Sequence, residues 1–293
     1  MTRSIRAARL ATCAAAAVLF PIAAHACTIF AVDRDGSVLV GNNLDTRTSR
    51  VKVWFVPAAQ GRYGRICLGH DKDYRIAEGG MNDQGLYIGV NALNLPTGWK
   101  PDPAKPDWET WEGWFESGVP DGILALCATV DEALRIFEAY NLLTFDHVKY
   151  LLADRSGDSA VLEWNQGAMQ VLRRDGDHQI STNFVTSAFA PERVPCARYK
   201  IAEQILADET RANTVDLIRS VLSATAFESG AQTPTQYSNV YDLKTGRVHT
   251  YLFHNFEEAW VVDLEDELAR GPAKYKLADL FPVRSYAHTL YRK

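Results

Sequence analysis

The chain has 293 residues, 47% of them apolar and 23% charged, with a formal net charge of −5. That length supports one large domain or two small ones with ample core. The balanced composition excludes disordered and low-complexity classes, and an acidic chain without a Lys/Arg stripe excludes a general nucleic-acid partner.

Residues 1–26 differ from the rest. Arg3, Arg6 and Arg9 precede an uncharged, Ala-rich run from Leu10 to Ala24, and Ala24-His25-Ala26 has small residues at the two places a signal peptidase reads. This is the pattern of a cleaved secretory signal, with export to periplasm or medium as the expected outcome. The apolar run is too short for a membrane span, and no later segment approaches one. Cleavage after Ala26 removes three arginines and no acidic residue, moving the net charge from −5 to −8. It leaves one domain over 27–293.

The mature chain opens on strands. CTIFAV and SVLV flank the turn Asp35-Gly36 and form a hairpin. VKVWFVP and RICLG read as two more strands. EGGMNDQGLYIGVNAL reads as a glycine-punctuated turn and a further strand. Residues 95–110 carry four prolines and read as a loop. Trp99, Trp108, Trp111 and Trp114 cluster there, either pinning that loop to the core or walling a pocket. Thr129-Val-Asp-Glu132 has the form of a capping box, followed by Val130, Ala133, Leu134 and Phe137 on one helical face.

HVKYLLAD, SAVLEW and AMQVLRR then form a three-strand meander, to which QISTNF adds a fourth strand. Two amphipathic helices follow. Residues 196–208 have Ile201, Ala202, Ile205 and Leu206 on one face, and residues 213–223 have Leu217, Ile218, Val221 and Leu222. NVYDL-KTG-RVHTYLF is a hairpin, and AWVVDL a last strand. The order predicts an α+β fold of antiparallel sheets covered by helices.

Cys13 leaves with the signal, while Cys27, Cys67, Cys127 and Cys196 remain. Export permits disulfides, but no CxxC or zinc-like His/Cys spacing occurs. Cys27 would become the first residue of the mature chain. Its thiol is a nucleophile. Its freed α-amino group, with an ordinary pKa near 7.7–8.0, is a base on the same residue. Before cleavage that nitrogen is an amide and cannot take a proton. Such a site also needs groups that hold the amine, donors for an oxyanion and a place for the acyl group. GNNLD (41–45), VNALN (90–94) and STNF (181–184) offer candidates.

CTIF, GNNLD, GGMNDQGL, DRSGDSAVLEW, STNF and YSNVYDLKTG, in this order behind a signal peptide, resemble the N-terminal-nucleophile cysteine hydrolases. The resemblance is to the choloylglycine hydrolase, penicillin V acylase and acid ceramidase group, with its acyltransferase branch, and covers most of the mature chain. It implies an α+β, four-layer αββα sandwich that cleaves linear, non-peptide amides through an acyl-enzyme, without a cofactor. The implied partner is a small-molecule amide, and homo-oligomers are common in such families. By motif, Cys27 is similar to the nucleophile and Asp45 to the aspartate holding its amine. Asn183 and Asn91 are similar to the oxyanion donors, with Asn94 as an alternative to Asn91. Arg198 is similar to the supporting arginine, with Arg193 as its rival. Where bile-salt hydrolases carry arginine this chain has Asn42, a departure that favours the acyltransferase-like branch over bile salts.

Other readings compete. Asp45, Asn91 and Asn183 could be turn residues alone. Cys27 could be structural or lipidated in an exported, non-catalytic small-molecule-binding protein. Ser49-Arg-Val-Lys52, Tyr237-Ser-Asn239 and Lys244-Thr-Gly246 imitate a penicillin-binding serine enzyme. However, the first runs into a predicted strand and the last sits at a hairpin tip.

Overall fold

The computed structural model describes residues 27–72, 74–112, 117–227 and 233–282. The expected signal segment 1–26 and Trp114 lie outside the described residues.

Fourteen strands among the described residues form two antiparallel sheets. The six-stranded sheet has the order β10-β1-β2-β11-β12-β13. Here β1 is Thr28–Arg34, β2 Ser37–Asp45, β10 His178–Ser181, β11 Thr235–Asp242, β12 Arg247–Leu252 and β13 Ala259–Asp263. The eight-stranded sheet has the order β14-β3-β4-β5-β6-β7-β8-β9. Its strands are β3 Val51–Val56, β4 Arg65–Lys72, β5 Tyr74–Asn82, β6 Tyr87–Ala92, β7 Val148–Ala153, β8 Ser159–Asn165, β9 Ala168–Arg173 and β14 Ala273–Lys276.

Period-2 alternation gives each sheet two apolar faces. The inner faces meet in a core that includes Ile29, Val40, Val53, Leu68, Tyr87 and Leu151. The outer face of the six-stranded sheet, with Phe30, Val32 and Leu39, is covered by α3 (Ala197–Leu206) and α4 (Val215–Thr225). The outer face of the eight-stranded sheet, with Cys67, Ile88 and Leu152, is covered by α1 (Val119–Leu126) and α2 (Val130–Ala139). The four layers are those of the expected αββα sandwich.

Local sequence explains most elements. Asp35 and Gly36 both have positive φ, at 54° and 76°, the pair of conformations a tight hairpin between twisted strands requires. Thr129 caps α2 by accepting from Glu132 N at 3.2 Å. The far end of the expected box differs, since Glu132 accepts from Ala128 N at 2.6 Å. On α4, Leu217, Ile218, Val221 and Leu222 are all buried. On α3 only Ala202 and Leu206 are, and Ile201 is 37% exposed.

Several expectations are corrected. Glu78-Gly-Gly-Met-Asn82 is strand, not turn: a Cβ on Gly80 would stand 2.1 Å from Ile66 O and one on Gly79 2.8 Å from Ile88 O. These glycines let neighbouring backbones close up rather than bend the chain. β10 does not extend the meander; it crosses to pair with β1, Ile29 opposite Ser181. Helix α1, α5 (Leu264–Ala269) and strand β14 are additional elements. Trp108 and Trp111 are buried beneath the helical layer, so the tryptophan loop is pinned to the core there. Ser49 precedes strand β3 and Lys244-Thr-Gly246 turns the β11–β12 hairpin, which removes the serine-enzyme reading. None of the four described cysteines is paired. Among the described residues no helix is long and apolar enough to cross a membrane, and no group of His, Cys, Asp or Glu is arranged to hold a metal.

Candidate active site

Cys27 immediately precedes β1, a central strand of the six-stranded sheet, and its side chain joins the inter-sheet core at 5% exposure. Pairing of β1 with β2 (Thr28 opposite Asn43) brings the end of GNNLD beside it. Asp45 N donates to Cys27 Sγ at 3.4 Å, and the thiol lies 3.9 Å from Asp45 O. Burial, then the Asp45 carboxylate, pushes the thiol up to about 12, against weaker opposing help from Arg198. In this setting the resting sulfur is a thiol, and it needs a base to become a nucleophile.

Asp45 is 2% exposed, and burial raises its carboxyl to about 8. Thr235 Oγ1 donates to Oδ1 and in turn accepts from Phe227 N at 2.8 Å. The other oxygen, Oδ2, makes no hydrogen bond and stands 3.7 Å from Arg198 Nη1. One carboxylate oxygen is thus held by the fold, and the other has no hydrogen-bond partner among the described residues.

Arg198 enters from the first turn of α3. Its Nη1 donates to Thr28 Oγ1 at 2.9 Å and its Nη2 to Asn183 Oδ1 at 3.1 Å. Asn183 follows β10 and donates through Nδ2 to Ala92 O at 2.7 Å. Because a guanidinium only donates, Oδ1 must face Arg198, which leaves Nδ2 on the side of Ala92 O with one N–H to spare. The crossing of β10 into the six-stranded sheet is what brings STNF here. The rival Arg193 is exposed in a short helical turn, away from these bonds.

Asn91 sits on the inner face of β6, opposite Lys149, fully buried, with neither amide atom hydrogen-bonded. Asn94 lies beyond the strand end and is exposed. Asn42 is buried on β2 opposite Ile29. Cys27, Asp45, Asn183 and Arg198 are therefore joined through direct contacts, whereas Asn91 shares only the inter-sheet face with them. Behind Asn183, Glu163 accepts from Thr186 N at 2.9 Å and Ser187 N at 2.6 Å, and the buried Lys149 reaches Thr186 Oγ1 at 2.7 Å. This pair ties down the segment after STNF. Burial holds the Lys149 ammonium down at about 8 against the pull of Glu163.

A cleft of ≈ 390 Å³ opens at Cys27. Ala77, Val90, Val119, Pro120 and Val148 make an apolar wall, with Ile76 48% exposed at its edge. Helix α1, which supplies Val119 and Pro120, is tied to β4 by the buried pair Arg65–Asp121. Thr46, His70 and Glu78 make the polar wall. Thr28, Thr235, His70 and Glu78 escape sequence reasoning, since a lone Thr, His or Glu on a strand carries no signature. The glycines after Glu78 were the one available signal, because Gly within a strand marks a bulge or a close approach. A second cavity, ≈ 800 Å³, lies under the loop at Trp99 and Trp164 and shares no lining residue with the Cys27 cleft.

No family model and no curated protein matches the chain. Solved structures do. Two variants of the conjugated bile acid hydrolase from Clostridium perfringens superpose with a TM-score of 0.69 at 16% identity. They cover 85% and 89% of this chain, and 96% and 100% of their own. The penicillin V acylase from Agrobacterium tumefaciens superposes with a TM-score of 0.62 at 17% identity, over 86% of this chain and 91% of that one. This chain is therefore built on the two-sheet sandwich of a conjugated bile acid hydrolase and a penicillin V acylase.

Proposed function

We propose that the protein is an exported cysteine amidohydrolase that cleaves a linear carbon–nitrogen amide through an acyl-enzyme on Cys27. The observation that carries this is the single bonded constellation around Cys27: Asp45 against the sulfur, and Arg198 joining Thr28 and Asn183. The likeness in fold to two amide-cleaving proteins supports it.

Cleavage after Ala26 frees the Cys27 amine beside Asp45 Oδ2, which then accepts from it. As Sγ attacks the amide carbonyl carbon, its proton passes to that amine. The oxyanion is received by the free Asn183 N–H and by Asn91 Nδ2. Collapse breaks the carbon–nitrogen bond, and the α-ammonium returns the proton to the leaving amine. Water then attacks the thioester and passes a proton to the α-amine; the carbon–sulfur bond breaks, the acid leaves and the α-ammonium returns the proton to Sγ. A second amine in place of water gives acyl transfer.

The test is intact-mass measurement of the purified protein before and after exposure to an amide panel. The expected species starts at Cys27 and gains one acyl group there. An active form that keeps residues before Cys27 would overturn the mechanism. The Trp99 cavity favours a second reading, an exported binding protein; in that case Cys27→Ser protein would retain full function.

A further inference from the structure

The ladder between β4 and β5 is broken at one place. Leu68 pairs with Gly79 and Gly69 with Ala77, so Glu78 is an extra residue with no partner across the ladder. This is a β-bulge, a device that re-aims one side chain out of the alternating pattern. The sequence allows it, because a Cβ on Gly69 would stand 1.9 Å from Ile76 O. The bulge turns Glu78 into the cleft at Cys27, where a quarter of its side chain remains exposed.

Glu78 makes no hydrogen bond with a described residue. His70 Nε2 stands 3.9 Å from its Oε1, beyond hydrogen-bond reach, and is engaged with Thr46 Oγ1 at 2.7 Å. Among the residues whose side chains are described, no Lys or Arg lines the cleft, and Arg198 is committed to Thr28 and Asn183. A carboxyl in this position repels anions and accepts from no described donor, and the same cleft has an apolar wall.

Resting on the amidohydrolase reading above, we propose that Glu78 selects the amine half of the substrate. The substrate class is an amide with an apolar acyl group against the Val90–Val119 wall and an ammonium on the amine side, with no carboxylate. Burial already holds the Glu78 carboxyl up at about 7. An ammonium supplies both the charge and the N–H donors that this carboxyl lacks.

Three amides of similar size test this: N-(2-aminoethyl)hexanamide, N-propylhexanamide and N-hexanoylglycine. Each has roughly a dozen heavy atoms, at the small end of what a pocket of a few hundred Å³ takes. Two measurements are made: kcat/KM with mature protein, and equilibrium binding to Cys27→Ser protein. The ammonium amide is expected to lead the propyl amide by about 10- to 100-fold, with the glycine amide last. Glu78→Gln is expected to bring the ammonium-to-propyl ratio within about threefold, and Glu78→Asp to restore most of it. An unchanged ratio in Glu78→Gln overturns the proposal, as does a wild-type lead for the propyl or the glycine amide. If mature protein turns over none of the three, the amidohydrolase reading fails. The binding ratio then decides separately for or against Glu78.

Discussion

On the Asp45 side of Cys27, Thr235 donates to Asp45 and Arg198 to Thr28 and Asn183, so each side chain is set by a hydrogen bond. On the Glu78 side a carboxyl stands in the cleft with no hydrogen bond from a described residue. The first arrangement is rigid, as the orientation of reacting groups requires. The second leaves its bonding capacity to an incoming molecule. If rate rests on the bonded side and preference on the unbonded one, substitutions on each should separate them.

The largest effect is expected on the bonded side. Cys27→Ser should fold normally and lose about 10³-fold or more in amide turnover, read by single-turnover kinetics with matching thermal melts. Asn183→Ala should cost roughly 10²- to 10³-fold in kcat with a smaller change in KM, because an oxyanion donor acts chiefly in the transition state. Equal loss of folding would instead make Asn183 a structural residue. Thr235→Val removes the donor to Asp45 Oδ1, so about a tenfold loss in kcat/KM and about 1–3 kcal/mol in urea unfolding are expected.

A pH test sharpens the role of the freed amine. Unfolded, Asp45 loses its proton near 3.8; folded with residues still preceding Cys27, it does so near 8. Between these values the folded state holds a proton that the unfolded state has lost, so stability declines as pH rises through that window. In an unprocessed chain Asp45→Asn should therefore gain on wild type from pH 4 to pH 8, by on the order of a few kcal/mol. In the mature chain the ammonium beside Oδ2 should remove most of that gain. The smallest effect is expected away from both walls: Trp99→Ala, in the separate cavity, should leave turnover within about threefold.

Much of this could be read from the sequence. The Asp35-Gly36 hairpin, the Thr129 cap and the buried stripe of α4 rest on local rules that tertiary context did not override. The blocks around Cys27, Asp45, Asn183 and Arg198 were also legible, and the contacts separate Arg198 from Arg193. Other features were not. β10 carries the same alternation whichever sheet it joins, and its crossing places Asn183. Helix α3 reads as evenly amphipathic, yet Ile201 faces outward because only one edge of the helix meets the sheet. Thr235 reaches Asp45 across 190 positions, a separation that no spacing pattern encodes.

By itself the sequence determined the two-sheet pattern, and it supplies the motif from which a cut between Ala26 and Cys27, and with it a self-activating nucleophile, is proposed. These follow from local chemistry: small residues before a cut, period-2 apolar runs and a thiol beside its own amine. Tertiary structure decided which oxygen of Asp45 is held and which is left open. It also fixed which way the Asn183 amide faces, and it turned Glu78 into the cleft. Each of these depends on a partner supplied by a distant strand or helix, or on one unpaired residue in a ladder, and comes into being only when the two sheets close.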